Sequence, residues 1–246
     1  MTATTAITPE STIGHLVAEF PQLSRVFEEL QIDYCCGGKR RLESVCRERQ
    51  IPVDKLIDQL AERLTAAQHE PSPAADQNWT HAPLAELCGH IQRTHHDYLR
   101  QELPRLEALI AKVVRAHGAY HPELAEVQAT FAELRAELEP HLMKEERVLF
   151  PAISYLEATG QPMQFPFGSL DNPIRVMVNE HDHAGDALAR LRRLTHDYAV
   201  PPGACNTYRV MLAGLAALEQ DMHQHVHKEN NILFPRATAL EARLAE

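Results

Sequence analysis

One pattern of metal-ligand residues occurs twice in this chain, and it constrains the fold more than any other feature. His141-Leu-Met-Lys-Glu145-Glu-Arg-Val-Leu-Phe150-Pro151 returns 84 residues later as His225-Val-His-Lys-Glu229-Asn-Asn-Ile-Leu-Phe234-Pro235. Each copy places His and Glu at i, i+4, followed by an apolar turn and a proline expected to end the helix. Residues four apart on a helix share a face, so both side chains of a copy can converge on one ion. Two copies imply two metals. Upstream, His96-Asp97 is matched by His181-Asp182 at an offset of 85, each pair preceding its His-x-x-x-Glu partner by 44 or 45 residues. Each half then reads as a helix hairpin with one His on its first helix and a His/Glu pair on its second. Together His96, His141, Glu145, His181, His225 and Glu229 form a complete set for a carboxylate-bridged dinuclear site in a bundle core.

Fifteen His in 246 residues is a high count, and most are expected to be surface residues. His223 and His227 flank His225 at two-residue spacing and are expected on the opposite, solvated face. His95 competes with His96, but only His96 carries the repeat-matched Asp after it. His117, His121, His183 and His196 fall outside the repeated positions. Glu137, one turn before His141, and Glu180, beside His181, are candidates for orienting imidazoles or relaying protons. Glu146 and Asn230, one position after the ligands, are expected to face neighbouring structure or water.

Imidazole and carboxylate without thiolate suit iron or manganese, and the His-Glu-x-x-His helix of zinc hydrolases is absent. Glu145 and Glu229, facing one another, would each bridge the two ions. Two His per metal plus two bridges leave coordination positions for a small exogenous ligand.

The punctuation divides the chain into a small helical domain at 1–68, a linker at 69–82 rich in Ala, Pro and polar residues, and an up-down four-helix bundle at 83–246. Helices are predicted at Ile13 to Glu19, Leu23 to Leu30, Leu42 to Arg49 and Val53 to Leu64, then at about 83–116, 122–157, 172–197 and 204–243. Pro104 is expected to bend or break the first long helix. No alternating strand pattern is present, so the class is all-α. A formal net charge of −10, with 24 Lys and Arg against 34 Asp and Glu, disfavours nucleic-acid binding. No apolar run approaches the length of a membrane span, and the N-terminal residues lack a signal-peptide pattern, so the expected location is cytoplasmic.

Five Cys, at 35, 36, 46, 88 and 205, fit no zinc-ribbon or thioredoxin spacing, and an odd count argues for reduced thiols. In Asp33-Tyr34-Cys35-Cys36-Gly37-Gly38 two glycines follow a vicinal thiol pair. Lys39-Arg40-Arg41 then opens the next helical pattern, so a helix N-terminus and three cations are expected to favour thiolate. Such thiols could exchange with disulfides, carry nitrosyl groups, hold a soft metal, or merely fill space.

The DYCCGG segment followed by HLMKEERVLFP, NEHDHAG and HVHKENNILFP closely resembles the iron–sulfur cluster repair di-iron proteins, also called Repair of Iron Centres proteins, over nearly the whole chain. The resemblance implies a hemerythrin-like bundle holding two non-haem iron ions, joined by an oxo or hydroxo bridge, on the six residues that the repeat selects. It implies repair of clusters damaged by nitric oxide or oxidants, by supplying iron or removing nitric oxide, with damaged iron–sulfur proteins as partners. Binding or sensing of nitric oxide or oxygen, and reduction of nitric oxide at the di-iron centre, are the alternatives, so whether the protein is an enzyme stays open, as does a homodimer.

Overall fold

The computed structural model describes residues 7–67 and 78–245; the regular elements among them are all helical, with two isolated bridges but no strand. By its contacts the chain forms two compact units. One comprises the described residues up to Pro83 together with Val226–Arg236, and the other comprises Leu84–His225 with the residues from Ala237 onward.

The first unit contains α1 (Ile13–Glu19), a 3-10 turn (Pro21–Leu23), α2 (Ser24–Glu29), α3 (Leu42–Arg49) and α4 (Val53–Ala67). Its short helices cannot stand alone in water, because nucleation costs more than one or two turns return. Packing holds them together: Ile13, Leu16, Leu23, Phe27, Leu42, Leu56 and Leu60 are fully buried in one cluster, each apolar side chain contributing about 1.5–3 kcal/mol. Two helix starts cap each other. Ile13 and Gly14 N–H donate to Arg40 O and Gly38 O at 3.1 and 2.8 Å, while Leu42 and Glu43 N–H donate to Ser11 O and Pro9 O, both at 2.9 Å. Backbone groups that a helix N-terminus leaves unpaired are thus satisfied reciprocally. α3 begins at Leu42, so Lys39, Arg40 and Arg41 precede the helix rather than opening it.

The linker expected at 69–82 lies outside the described residues as far as 77. Its last residues are packed structure rather than spacer: Asn78 Nδ2 donates to Glu19 O at 3.0 Å, and buried Trp79 accepts from Arg236 Nη1 through its carbonyl at 2.8 Å.

Four long helical rods follow. Three of the four helices read from the sequence are each divided by one widened turn: α5 (Leu84–Ile91) passes through Gln92–His96 into α6 (Asp97–His117), α7 (Glu123–Lys144) through Glu145–Leu149 into α8 (Phe150–Thr159), and α10 (Asn206–Lys228) through Glu229–Leu233 into α11 (Phe234–Leu244). At each turn the hydrogen bond spans five residues. Asp97 N–H reaches Gln92 O, Phe150 N–H reaches Glu145 O and Phe234 N–H reaches Glu229 O. The remaining rod, α9 (Asp171–Leu194), is regular.

The prolines therefore act differently from the sequence expectation. Pro151 and Pro235 do not end their helices. Each falls in the first turn after a widening, where a missing N–H costs least, and the helix resumes. Pro104 does not break α6, which is continuous from Asp97 to His117.

The internal repeat extends beyond the ligands into the caps. Glu157 on α8 accepts from Leu84 and Ala85 N–H at 2.7 and 2.8 Å, and Glu241 on α11, 84 residues later, accepts from Leu170 N–H at 3.0 Å. Each carboxylate caps the start of a ligand-bearing rod, a favourable place for negative charge.

Candidate metal centre

Three of the six repeat-selected residues, His96, Glu145 and Glu229, lie in the widened turns. A turn of this kind inserts an extra residue into the helix and rotates the following side chains, which is why it recurs at functional sites. The structure brings all six together as two interlocked groups. His96, Glu145, His225 and Glu229 present ligand atoms within 4.8 Å of one another, and so do His141, Glu145, His181 and Glu229. Both glutamates belong to both groups. His96, Glu145, His225 and Glu229 are fully buried, and His141 and His181 are nearly so.

The imidazoles meet head to head. His96 Nε2 lies 3.1 Å from His225 Nε2, and His181 Nε2 lies 3.1 Å from His141 Nε2. Two nitrogens bound at about 2.1 Å to one ion at a right angle would stand about 3.0 Å apart. Glu145 Oε2 is 3.4 Å from both His96 Nε2 and His141 Nε2, between the two groups.

Hydrogen bonds behind the rings fix which nitrogen faces inward. His96 Nδ1 lies 2.8 Å from Glu146 Oε1, and His141 Nδ1 lies 2.8 Å from Glu180 Oε2. An ionised carboxylate only accepts, so each Nδ1 carries the proton and each Nε2 offers a lone pair to the interior. A cation holds each carboxylate in turn, Arg100 for Glu146 and Lys144 for Glu180. Burial pushes both acids up, but the hydrogen bonds from Arg100 and His96 to Glu146, and from Lys144 and His141 to Glu180, outweigh it and leave both below the usual range. Each quartet contains at least one imidazole backed in this way.

Several readings of the sequence need correction here. Glu137 is exposed on α7, and the carboxylate on His141 is Glu180. Glu146, expected to face other structure or water, instead holds His96. Its register after a ligand gave no hint, because the partner lies on another rod. His227, expected to be solvated, is buried and packs edge-on against Tyr34, with ring centroids 5.4 Å apart; its burial holds it neutral, pulling the imidazole down to about 3. His223 is half-buried rather than fully solvated. His95 belongs to neither quartet: its Nδ1 lies 2.8 Å from Asp221 Oδ1, and its ring stacks on His225 at 5.3 Å and 8°. In the repeat His95 occupies the place of Glu180, immediately before a ligand, and His96 the place of His181.

The thiol loop departs furthest from expectation. Asp33, not a helix N-terminus, organises it, accepting from Cys35 and Cys36 N–H at 2.9 and 3.0 Å through Oδ1 and from Gly37 N–H at 2.8 Å through Oδ2. Arg40 and Arg41 pair with Glu48 and Glu43. The hydrogen bond to Cys36, burial and the neighbouring Asp33 push the Cys35 thiol well above the usual cysteine range, so thiolate is disfavoured there. Cys35 is buried and Cys36 half-buried, and neither forms a disulfide.

Residues 89–237 match the hemerythrin HHE cation binding domain, and residues 9–64 match the ScdA_N domain, a domain of unknown function. The chain is 38% identical over 231 residues to the iron–sulfur cluster repair protein YtfE of Pectobacterium carotovorum, covering 93% of this chain and 96% of that one. The chain belongs to this family. It is also 36% identical to YtfE of Musicola paradisiaca over 95% of its length, and 35% identical to YtfE of Escherichia coli O81 over 93%, covering 98% and 97% of those chains. The hemerythrin domain match spans all six repeat-selected residues, so they lie within a cation-binding domain. No helix among the described residues is long and apolar enough to cross a membrane.

Proposed function

We propose that this protein is a di-iron protein that repairs iron–sulfur clusters damaged by nitrosative or oxidative stress. The observation that carries the reading is that Glu145 and Glu229 each belong to both donor quartets. Six residues can then hold two ions, His96 and His225 on one, His141 and His181 on the other, with both carboxylates shared. The donors fit iron: imidazole and carboxylate with no thiolate among the six, and four protein donors per ion where iron accepts up to six. Two bound irons, bridged by oxo or hydroxo, would supply redox change and open positions for nitric oxide or oxygen.

The chain's own residues do the rest. Glu146 and Glu180 accept the Nδ1 protons of His96 and His141 and so orient both imidazoles with Nε2 inward. Arg100 and Lys144 keep those carboxylates ionised and in place. Full burial of Glu145 and Glu229 excludes water, so their charge calls for compensation by cations within the site. The iron–sulfur cluster repair proteins to which the chain is similar direct this chemistry to damaged iron–sulfur proteins as partners, with iron supply or nitric oxide removal as the step.

The test is reactivation of a nitric-oxide-inactivated iron–sulfur enzyme by the iron-loaded protein, with His225→Ala as the control. About two irons per chain and reactivation that fails with His225→Ala support the proposal. Full reactivation by a His225→Ala protein that has lost its iron would overturn it. Stopped-flow mixing of the diferrous protein with nitric oxide and with oxygen separates repair from sensing and from nitric oxide reduction.

A further inference from the structure

We infer that the Asp33-Tyr34-Cys35-Cys36 loop is a second metal site, separate from the buried histidine centre and built for one thiophilic divalent cation. Its donors are Cys35 Sγ, Cys36 Sγ and an Asp33 carboxylate oxygen, which lie within 4.8 Å of one another. The two sulfurs are 3.9 Å apart, and Cys35 Sγ lies 3.1 Å from Asp33 Oδ1. Two thiolates at about 2.3 Å from a tetrahedral ion stand about 3.8 Å apart, so the sulfurs already have the required spacing. The Cys35 thiol proton occupies the direction toward Asp33 that a cation would take.

The loop is held in this shape by contacts that do not involve the sulfurs. Asp33 gathers the three N–H groups of Cys35, Cys36 and Gly37. On the other side, Asn231 Nδ2 donates to Tyr34 O at 3.2 Å and Cys35 O at 3.0 Å. The Asn231 carboxamide lies so close to Gly14 and Gly38 that a Cβ on either would come within 2.7 or 2.8 Å of its Cγ. Gly38 is therefore required for close approach, not for an unusual φ. Donors fixed before the ion arrives lose little freedom on binding it. With Arg40 and Arg41 paired to glutamates, the Asp33 carboxylate supplies the charge that draws a cation to the loop, both sulfurs give up their protons only as the ion binds, and half-buried Cys36 provides the approach. Mixed sulfur and oxygen donors select a borderline or soft divalent ion such as zinc, cobalt or ferrous iron over magnesium or calcium. Binding is a ligand exchange without redox: two sulfur–metal bonds form, two thiol protons go to solvent, and the ion sheds water.

Cobalt(II) is the probe, because thiolate ligation gives an intense sulfur-to-metal absorption that histidine and carboxylate sites lack. Iron-loaded full-length protein titrated anaerobically with Co²⁺ should take up one ion per chain carrying this band. Cys35→Ser/Cys36→Ser should abolish the band, Cys36→Ser should weaken binding at least tenfold, and Asp33→Asn should weaken it several-fold with the band retained. If the double variant does not fold, as judged by its far-ultraviolet circular dichroism, Cys36→Ser decides. Absence of a thiolate band in the unmodified protein, or its persistence at full affinity in Cys36→Ser, overturns the site. Unchanged affinity in Asp33→Asn overturns the three-donor assignment. The inference stands apart from the repair reading, since bundle iron reports on that proposal and the cobalt band on this one.

Discussion

Removing Glu146 should weaken one of the two proposed metals selectively. Its Oε1 lies 2.8 Å from Nδ1 of His96, which belongs to one quartet only. A hydrogen bond to a charged group contributes about 1.5–3 kcal/mol net, and losing a partner of this kind to a metal-bound His typically costs about 10–100-fold in metal affinity, or roughly 1.4–2.7 kcal/mol. Glu146→Ala should therefore weaken the ion held by His96 and His225 by about 10–100-fold. Glu180→Ala should do the same to the ion on His141 and His181. Arg100 is nearly half exposed, so its release in Glu146→Ala adds little. The assay is stepwise iron release to a chelator of graded strength, followed by absorbance, with Glu137→Ala as the exposed control. Selective early loss of one iron per chain supports the arrangement. Equal loss of both irons in Glu146→Ala, or an effect of Glu137→Ala as large as that of Glu146→Ala, would refute the argument that orientation acts through individual imidazoles.

His96→Ala should lose bound iron, whereas His95→Ala should keep its stoichiometry and alter only the spectrum through the ring stacked on His225, as measured by metal analysis and visible absorption. Glu157→Ala and Glu241→Ala should each destabilise the protein by about 0.5–2 kcal/mol in urea unfolding, because each removes a carboxylate cap from a rod's first turn. Phe27→Ala should cost about 3–5 kcal/mol in the first unit, read as a lower unfolding midpoint, since the ring is fully buried. The exposed Cys205 thiol, 3.2 Å from His117 Nε2 and at the start of α10, is pulled down to about 7, first by the His117 hydrogen bond and then by backbone N–H groups. Thiolate is the nucleophile, so alkylation should accelerate as pH rises through about 7, and His117→Ala should move that midpoint upward.

Spacing alone selected the six inward-facing residues, because a helix converts an i, i+4 pair into neighbours regardless of what surrounds it, and a duplicated pair leaves little room for coincidence. The ends of α1 and α3 were equally legible, set by local apolar pattern and punctuation. What the sequence could not supply depends on partners far apart in the chain. Glu146 reaches His96 across 50 positions and Glu180 reaches His141 across 39, so a carboxylate's role follows from the register of two rods rather than from its distance to a ligand in sequence. The widened turns were hidden for a related reason. One inserted residue leaves the hydrophobic pattern intact on both sides, and only the folded backbone shows that Pro151 and Pro235 follow a bulge instead of ending a helix. His227 looked solvated because two-residue spacing turns it away from His225, yet the face opposite a metal need not face water. Tyr34 covers it, a contact between residues 193 positions apart that only tertiary packing decides.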